Sequence, residues 1–165
     1  METIDLAPGA MAPDFEALAI GGAFGLEGGR VRLSELRGVA VVLYFYPKDD
    51  TPGCTTQACS MRDRWAHLKR PDTMFFGVSV DSPESHRRFI EKYELPFPVI
   101  SDESKEIVQA YGVWVQKTMY GKTFMGTERT TFVIRPDGRI KSVFRRVKPD
   151  AHTDILLEDL ANFKP

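Results

Sequence analysis

Cys54 and Cys59 are the only cysteines in the 165-residue chain, and the setting of the first gives it chemistry. Cys54 stands at the start of a predicted helix in which Ala58, Met61, Trp65 and Leu68 recur at spacings of three and four, the pattern of one buried helical face. A helix N-terminus presents unpaired N–H groups and about half a positive charge. Both favour a thiolate over a thiol, whose ordinary pKa is about 8.5. The thiolate is the nucleophilic form, able to attack a peroxide oxygen. Cys54 lies four residues before Ala58 and extends the inward stripe, so it belongs in a pocket and not on open surface. Thr51, three residues earlier, carries a hydroxyl that can donate and accept. Pro47 and Pro52 stiffen the loop between strand and helix. Taken alone, a cysteine at a helix start also fits a small buried apolar residue. The arrangement Pro-x-x-x-Thr-x-x-Cys after an apolar strand is more specific.

Other chemistries find little support. A zinc site needs about four ligands at characteristic spacing; this chain offers two cysteines and three scattered histidines. His67 falls opposite the Ala58–Leu68 stripe and is expected to face water, while His86 and His152 show no motif. No metal and no cofactor is expected, and a Cys-His hydrolase lacks a histidine in a recognisable context. The glycines between Gly21 and Gly29 do not match a phosphate-binding spacing and read as turns. A protein dithiol-disulfide oxidoreductase would carry Cys-x-x-Cys, which is absent. A non-enzymatic binding module or holdase would not need Pro47, Thr51 and both cysteines together.

The elements that must position Cys54 follow from periodicity. Residues 1–13 read as an irregular arm, an N-terminal extension broken by Pro8 and Pro13. Phe15–Ile20 and Val31–Leu33 are short strands. Val39–Phe45 is a continuous apolar run, fit for a strand buried on both faces. Met74–Val80 repeats that pattern. Ser82 and Pro83 begin a helix that turns Phe89, Ile90 and Tyr93 inward. Phe97–Ile100 is a short strand, and a helix from Ser104 to Tyr111 stops at Gly112. Thr130–Ile134 and Arg139–Phe144 flank the turn Arg135-Pro-Asp-Gly138. Asp150–Asn162 is a terminal helix with Ile155, Leu156 and Leu160 on its apolar side. Helices between strands imply parallel pairing and the last hairpin adds antiparallel strands. The fold class is α/β, a mixed central sheet flanked by helices in one domain, residues 1–165.

A net charge of -1 argues against a sequence-independent grip on nucleic acid. The Arg145-Arg146 pair with Lys148 reads as a solvated strand end. The first residues lack a basic start followed by an apolar run, and no stretch approaches the ~20 apolar residues that span a membrane. A reducing cytoplasm is the expected location, where a permanent structural disulfide is not expected.

Pro47-Lys-Asp-Asp-Thr51-Pro-Gly-Cys54 resembles the active-site pattern of the peroxiredoxin family, and Thr55-Thr-Gln-Ala-Cys59 resembles its bacterioferritin-comigratory-protein or PrxQ branch. The resemblance runs from Ala12-Pro-Asp-Phe15 through Gly77–Ser82, Phe97–Asp102, Tyr120-Gly-Lys122 and Glu128–Phe132. It implies a thioredoxin-like fold, with Cys54 peroxidatic and Cys59 resolving. It also implies a hydroperoxide substrate positioned by Pro47, Thr51, Gly53 and Arg129, and no metal, haem or flavin. A guanidinium at Arg129 would lower the thiol pKa and donate to the leaving oxygen. The expected reductant is thioredoxin or a similar dithiol protein, and the expected state a monomer, with dimers in some members.

The implied disulfide meets a geometric obstacle. Five residues along an α-helix separate two Cα atoms by roughly 8.6 Å and turn their side chains about 140° apart. A disulfide needs the Cα atoms within about 7 Å. The helix at Cys54 must therefore open before Cys59 can reach it.

Overall fold

The computed structural model describes residues 6–165. Its main sheet has seven strands: β1 (Glu16–Ile20), β2 (Gly29–Arg32), β3 (Ala40–Phe45), β4 (Thr73–Ser79), β5 (Val99–Ser101), β8 (Thr130–Ile134) and β9 (Ile140–Phe144). They lie in the order β2-β1-β5-β4-β3-β8-β9. The β3–β4 and β4–β5 pairs are parallel, and the others are antiparallel. All six residues of β3 are buried, as its unbroken apolar run requires between two layers. Val42 and Tyr44 join one core with Met61, Phe89, Leu156 and Leu160. Val41, Leu43 and Phe45 join the other with Ile107, Val108 and Tyr111. The first core carries the helices α1 (Pro52–Asp63), α2 (Trp65–Leu68), α3 (Pro83–Tyr93) and α5 (His152–Ala161); α4 (Glu106–Ala110) covers the opposite face.

Most expected elements are present within a residue or two. Ser82 caps α3 by accepting from the Ser85 N–H at 3.1 Å, with Pro83 at the first helical position. Two features differ. The single helix expected through Leu68 is split at Arg64, whose backbone (φ −113°, ψ 19°) leaves the helical region. Met61 and Leu68 are buried on both sides of the break, so periodicity alone could not reveal it. A second, two-stranded sheet, β6 (Trp114–Met119) with β7 (Lys122–Thr127), was not expected. Its turn, Tyr120-Gly121, has positive φ at both residues (52° and 74°), as a tight two-residue hairpin demands. The strands are largely exposed and lack the alternating apolar pattern that announces a half-buried strand. The described part of the arm is irregular, as expected, and is tied to the sheet. Gly9 N–H donates to Ile140, Ile140 N–H to Ala10, and Ala12 N–H to Gly138, so residues 9–12 run along β9. The first five residues of that arm lie outside the described ones.

Among the described residues, no helix is long and apolar enough to cross a membrane.

Candidate active site

The chain leaves β3 at Phe45 and enters α1 at Pro52 through a loop that is fastened from outside. Asp49, buried, accepts from Tyr46 Oη (2.5 Å) and Ser85 Oγ (2.8 Å), and its carboxylate meets His86 Nδ1 at 2.6 Å. Its backbone N–H donates to Asp81 at 2.9 Å. The other ring nitrogen of His86 donates to the Ile100 carbonyl at 3.0 Å. Asp50 adopts a left-handed backbone (φ 57°), and its carboxylate takes Lys92 Nζ (2.8 Å) and Tyr93 Oη (2.5 Å). Those two partners hold the carboxyl below the usual carboxylate range. The loop is thus clamped to α3 and to the segment after β4. Pro47, half-buried, turns the chain at its start.

Thr51 is the N-cap of α1, but no side chain caps the helix. The Thr51 hydroxyl instead donates to the Lys48 carbonyl at 2.9 Å. Its hydrogen is committed, and only its lone pairs remain for a ligand. The sequence left the hydroxyl free to donate as well; the loop's curl removes that role.

Cys54 sits in the first turn of α1 with its side chain buried (2 % exposed). Arg129 lies between β7 and β8. It donates to Cys54 Sγ at 3.5 Å and to Gln57 Oε1 at 2.5 Å. The guanidinium and the positive end of a helix thus both face the sulfur. Gly53 makes the approach possible: a Cβ there would stand 3.1 Å from Arg129 Nη2 and 3.4 Å from Pro149. Cys59 is half-buried in the same unbroken helix, and both thiols are free.

The structure therefore gathers Thr51, Gly53, Cys54 and Arg129 at one end of the sheet. It leaves Cys59 more than one helical turn away. Sequence reasoning missed four contributors. Gln57 repeats the Cys54 face three residues on, which was a usable signal. Asp49 and His86 meet only through the fold. Lys117 comes from the unexpected hairpin, donating to the Thr127 carbonyl at 2.6 Å. Asp49, Asp81 and His86 are close enough together to hold an ion. However, the direct 2.6 Å contact between Asp49 and His86 leaves no space for one between them. His67 is exposed, as expected. Arg145 and Arg146 are exposed and pair with Glu128.

A mixed sheet in this order, with a cysteine at the start of the helix after its central strand, is the thioredoxin-like architecture. The chain belongs to the AhpC/TSA family, whose model matches residues 8–143. It is 47% identical over 126 residues to a putative peroxiredoxin bcp of Coxiella burnetii, covering 76% of this chain and 83% of that one. It is 43% identical over 152 residues to the peroxiredoxin Bcp of Bacillus subtilis, covering 92% and 93%. Among solved structures it resembles the Xanthomonas campestris bacterioferritin comigratory protein, studied for alkyl peroxide reduction. That match has a TM-score of 0.79 and 33% identity, covering 89% of this chain and 90% of that one.

Behind the cysteine, His152 is fully buried, with Nε2 against Thr131 Oγ1 at 2.8 Å. Burial, reinforced by Arg129, pushes its pKa down to about 3 from the ordinary 6.5. Between those values the unfolded chain binds a proton there that the folded chain refuses, so stability falls as pH falls. The expected outcome is a urea midpoint that drops more steeply from pH 6.5 to pH 3 in the parent than in His152→Gln. The difference is at most about 1.4 kcal/mol per pH unit. Parallel curves would show that the ring titrates normally.

Proposed function

We propose that this protein is a thiol-dependent peroxidase in which Cys54 reduces hydroperoxides and Cys59 resolves the oxidised product. The contact between Arg129 and Cys54 Sγ, 3.5 Å at a helix N-terminus, carries the reading. In the first step the Cys54 thiolate attacks the terminal oxygen of ROOH. An S–O bond forms, the O–O bond breaks, and RO⁻ leaves and takes a proton to become ROH. Sulfur is oxidised to the sulfenic acid and the peroxide is reduced. Arg129 donates to the oxygens as charge develops, the role for which fixed donors are most effective. Thr51 accepts from the hydroperoxide O–H through its free lone pairs, and Pro47 and Gly53 shape the loop and keep room for Arg129. In the second step the Cys59 thiolate attacks Cys54 sulfur. An S–S bond forms and the S–O bond breaks, and the departing hydroxide takes up the proton that the Cys59 thiol gave up and leaves as water. Exchange with a dithiol protein such as thioredoxin restores both thiols. The proposal extends to one domain spanning residues 1–165, a monomer, working in the cytoplasm.

The test is peroxide-dependent oxidation of reduced thioredoxin by the purified protein. Insulin disulfide reduction without peroxide would instead mark a dithiol oxidoreductase. Cys54→Ser abolishes peroxide consumption. Cys59→Ser still forms one sulfenic acid at Cys54 but turns over poorly, as mass spectrometry after one equivalent of peroxide will show. A sulfenic acid on Cys59 reverses the assignment.

Arg129→Ala slows Cys54 oxidation by roughly a hundredfold, the usual cost of one donor to a developing oxyanion. Thr51→Val slows it less, since Thr51 only accepts. Stopped-flow oxidation measures both. Reductant kinetics close to the parent's are expected.

Disulfide formation opens the first two turns of α1. Those turns carry Cys54 and Gln57, and their first N–H groups lack intrahelical partners. Ser60 Oγ donates to Thr153 of α5 at 2.8 Å, which anchors the helix beyond. Hydrogen exchange loses protection over residues 55–59 on oxidation and keeps it over residues 60–63. Equal protection in both states, with the disulfide present, refutes the opening.

A further inference from the structure

The hairpin β6–β7 and the segment after β9 border an open cavity of about 470 Å³ lined by Val115, Gln116, Lys117, Glu128, Arg129, Arg146 and Val147. Arg129 forms both a wall of this cavity and the contact to Cys54. The space is far larger than hydrogen peroxide needs, since a water molecule occupies about 30 Å³ in the liquid. Val115 and Val147 give it apolar walls.

Its charges are not equivalent. Arg129 is engaged by Cys54 and Gln57. Arg146 is paired with Glu128, which Arg145 also meets. Lys117 has no carboxylate partner among the described residues. Its ammonium spends one donor on the Thr127 carbonyl, which leaves two. The side chain is held in place. Gly126 stands across the ladder from Val115, and a Cβ there would meet Lys117 Cδ at 3.2 Å. Burial, together with Arg129, pushes the ammonium below the usual lysine range, while Cys54 and Glu128 pull it back up. A half-buried cation with one neutral acceptor is unfavourable by itself. An anion arriving in the cavity would relieve it.

We propose that Lys117 determines specificity, and that the cavity it shares with Arg129 takes organic hydroperoxides bearing an anionic group, with the ammonium as that group's partner. This rests on the peroxidase reading. The peroxide end reaches Cys54 past Arg129, the apolar body lies against Val115 and Val147, and the anion meets Lys117.

Cumene hydroperoxide and its para-carboxylate share one skeleton and differ in charge. Stopped-flow oxidation of Cys54 with each gives a ratio of rate constants, carboxylate over neutral. The ratio cancels any general effect of the Lys117 charge on the thiol. In Lys117→Met it falls about tenfold, the worth of one charge-assisted hydrogen bond, and Lys117→Arg restores most of it. An unchanged ratio in Lys117→Met overturns the proposal. A second arm needs no turnover. The unreactive 4-isopropylbenzoate binds the parent in calorimetry about tenfold more tightly than Lys117→Met, and equal affinities overturn the assignment. Hydrogen peroxide consumption by the parent reports on the peroxidase reading separately.

Discussion

The contact between the Arg129 guanidinium and Cys54 sulfur is what the rest of the structure serves. It needs two chain segments 75 residues apart to arrive at one point. The antiparallel pairing of β3 with β8 does this, because Phe45 stands opposite Thr130. Arg129, one residue outside β8, therefore lies at the same end of the sheet as the loop into α1. The missing side chain at Gly53 opens the approach, and Gln57 fixes the guanidinium by accepting its second N–H group. Losing the register by one residue would turn β8's side chains to the wrong faces and leave the sulfur without its cation.

Polar groups left without partners gather around that contact. Among the described residues, the buried side-chain atoms lacking a hydrogen bond are Tyr44 Oη, Gln57 Nε2, Thr127 Oγ1 and His152 Nδ1. Gln57 touches Arg129, Thr127 lies two residues before it, the His152 ring is depressed in part by it, and Tyr44 packs on His152 at 5.6 Å. An unmet buried polar atom costs about 1–3 kcal/mol. The rest of the described core spends little in this way. Buried polar atoms without a partner inside the protein therefore lie in or beside the site.

What the sequence revealed divides along physical lines. The buried strands, the capped start of α3, the turn before β9 and the placing of Cys54 are local properties of composition and period, and all were legible. Arg129 was reached only through resemblance, since nothing in its own neighbourhood distinguishes it from an exposed strand-end arginine. The Asp49–His86 pair spans 37 residues and depends on α3 crossing the loop, which no local pattern encodes. The β6–β7 hairpin was hidden because its exposed strands carry mixed polar and apolar side chains. With it were hidden Lys117 and the cavity. The split at Arg64 was invisible because the apolar stripe runs through it.

The clamps on the loop before α1 bear on how the enzyme resets. In the proposed cycle, reduction of the disulfide leaves the opened turns to become helical again. Starting a helix from free chain is improbable, with a nucleation constant near 10⁻³. Here no nucleus has to form. Asp49 and Asp50 keep the entering strand of chain in position against α3, and Ser60 keeps the downstream turn seated on α5. The gap closes by propagation from an existing helical end, at roughly nanoseconds per residue. Recoiling is then far faster than any thiol exchange, and the return to the peroxide-ready state is paced by the reductant's chemistry alone.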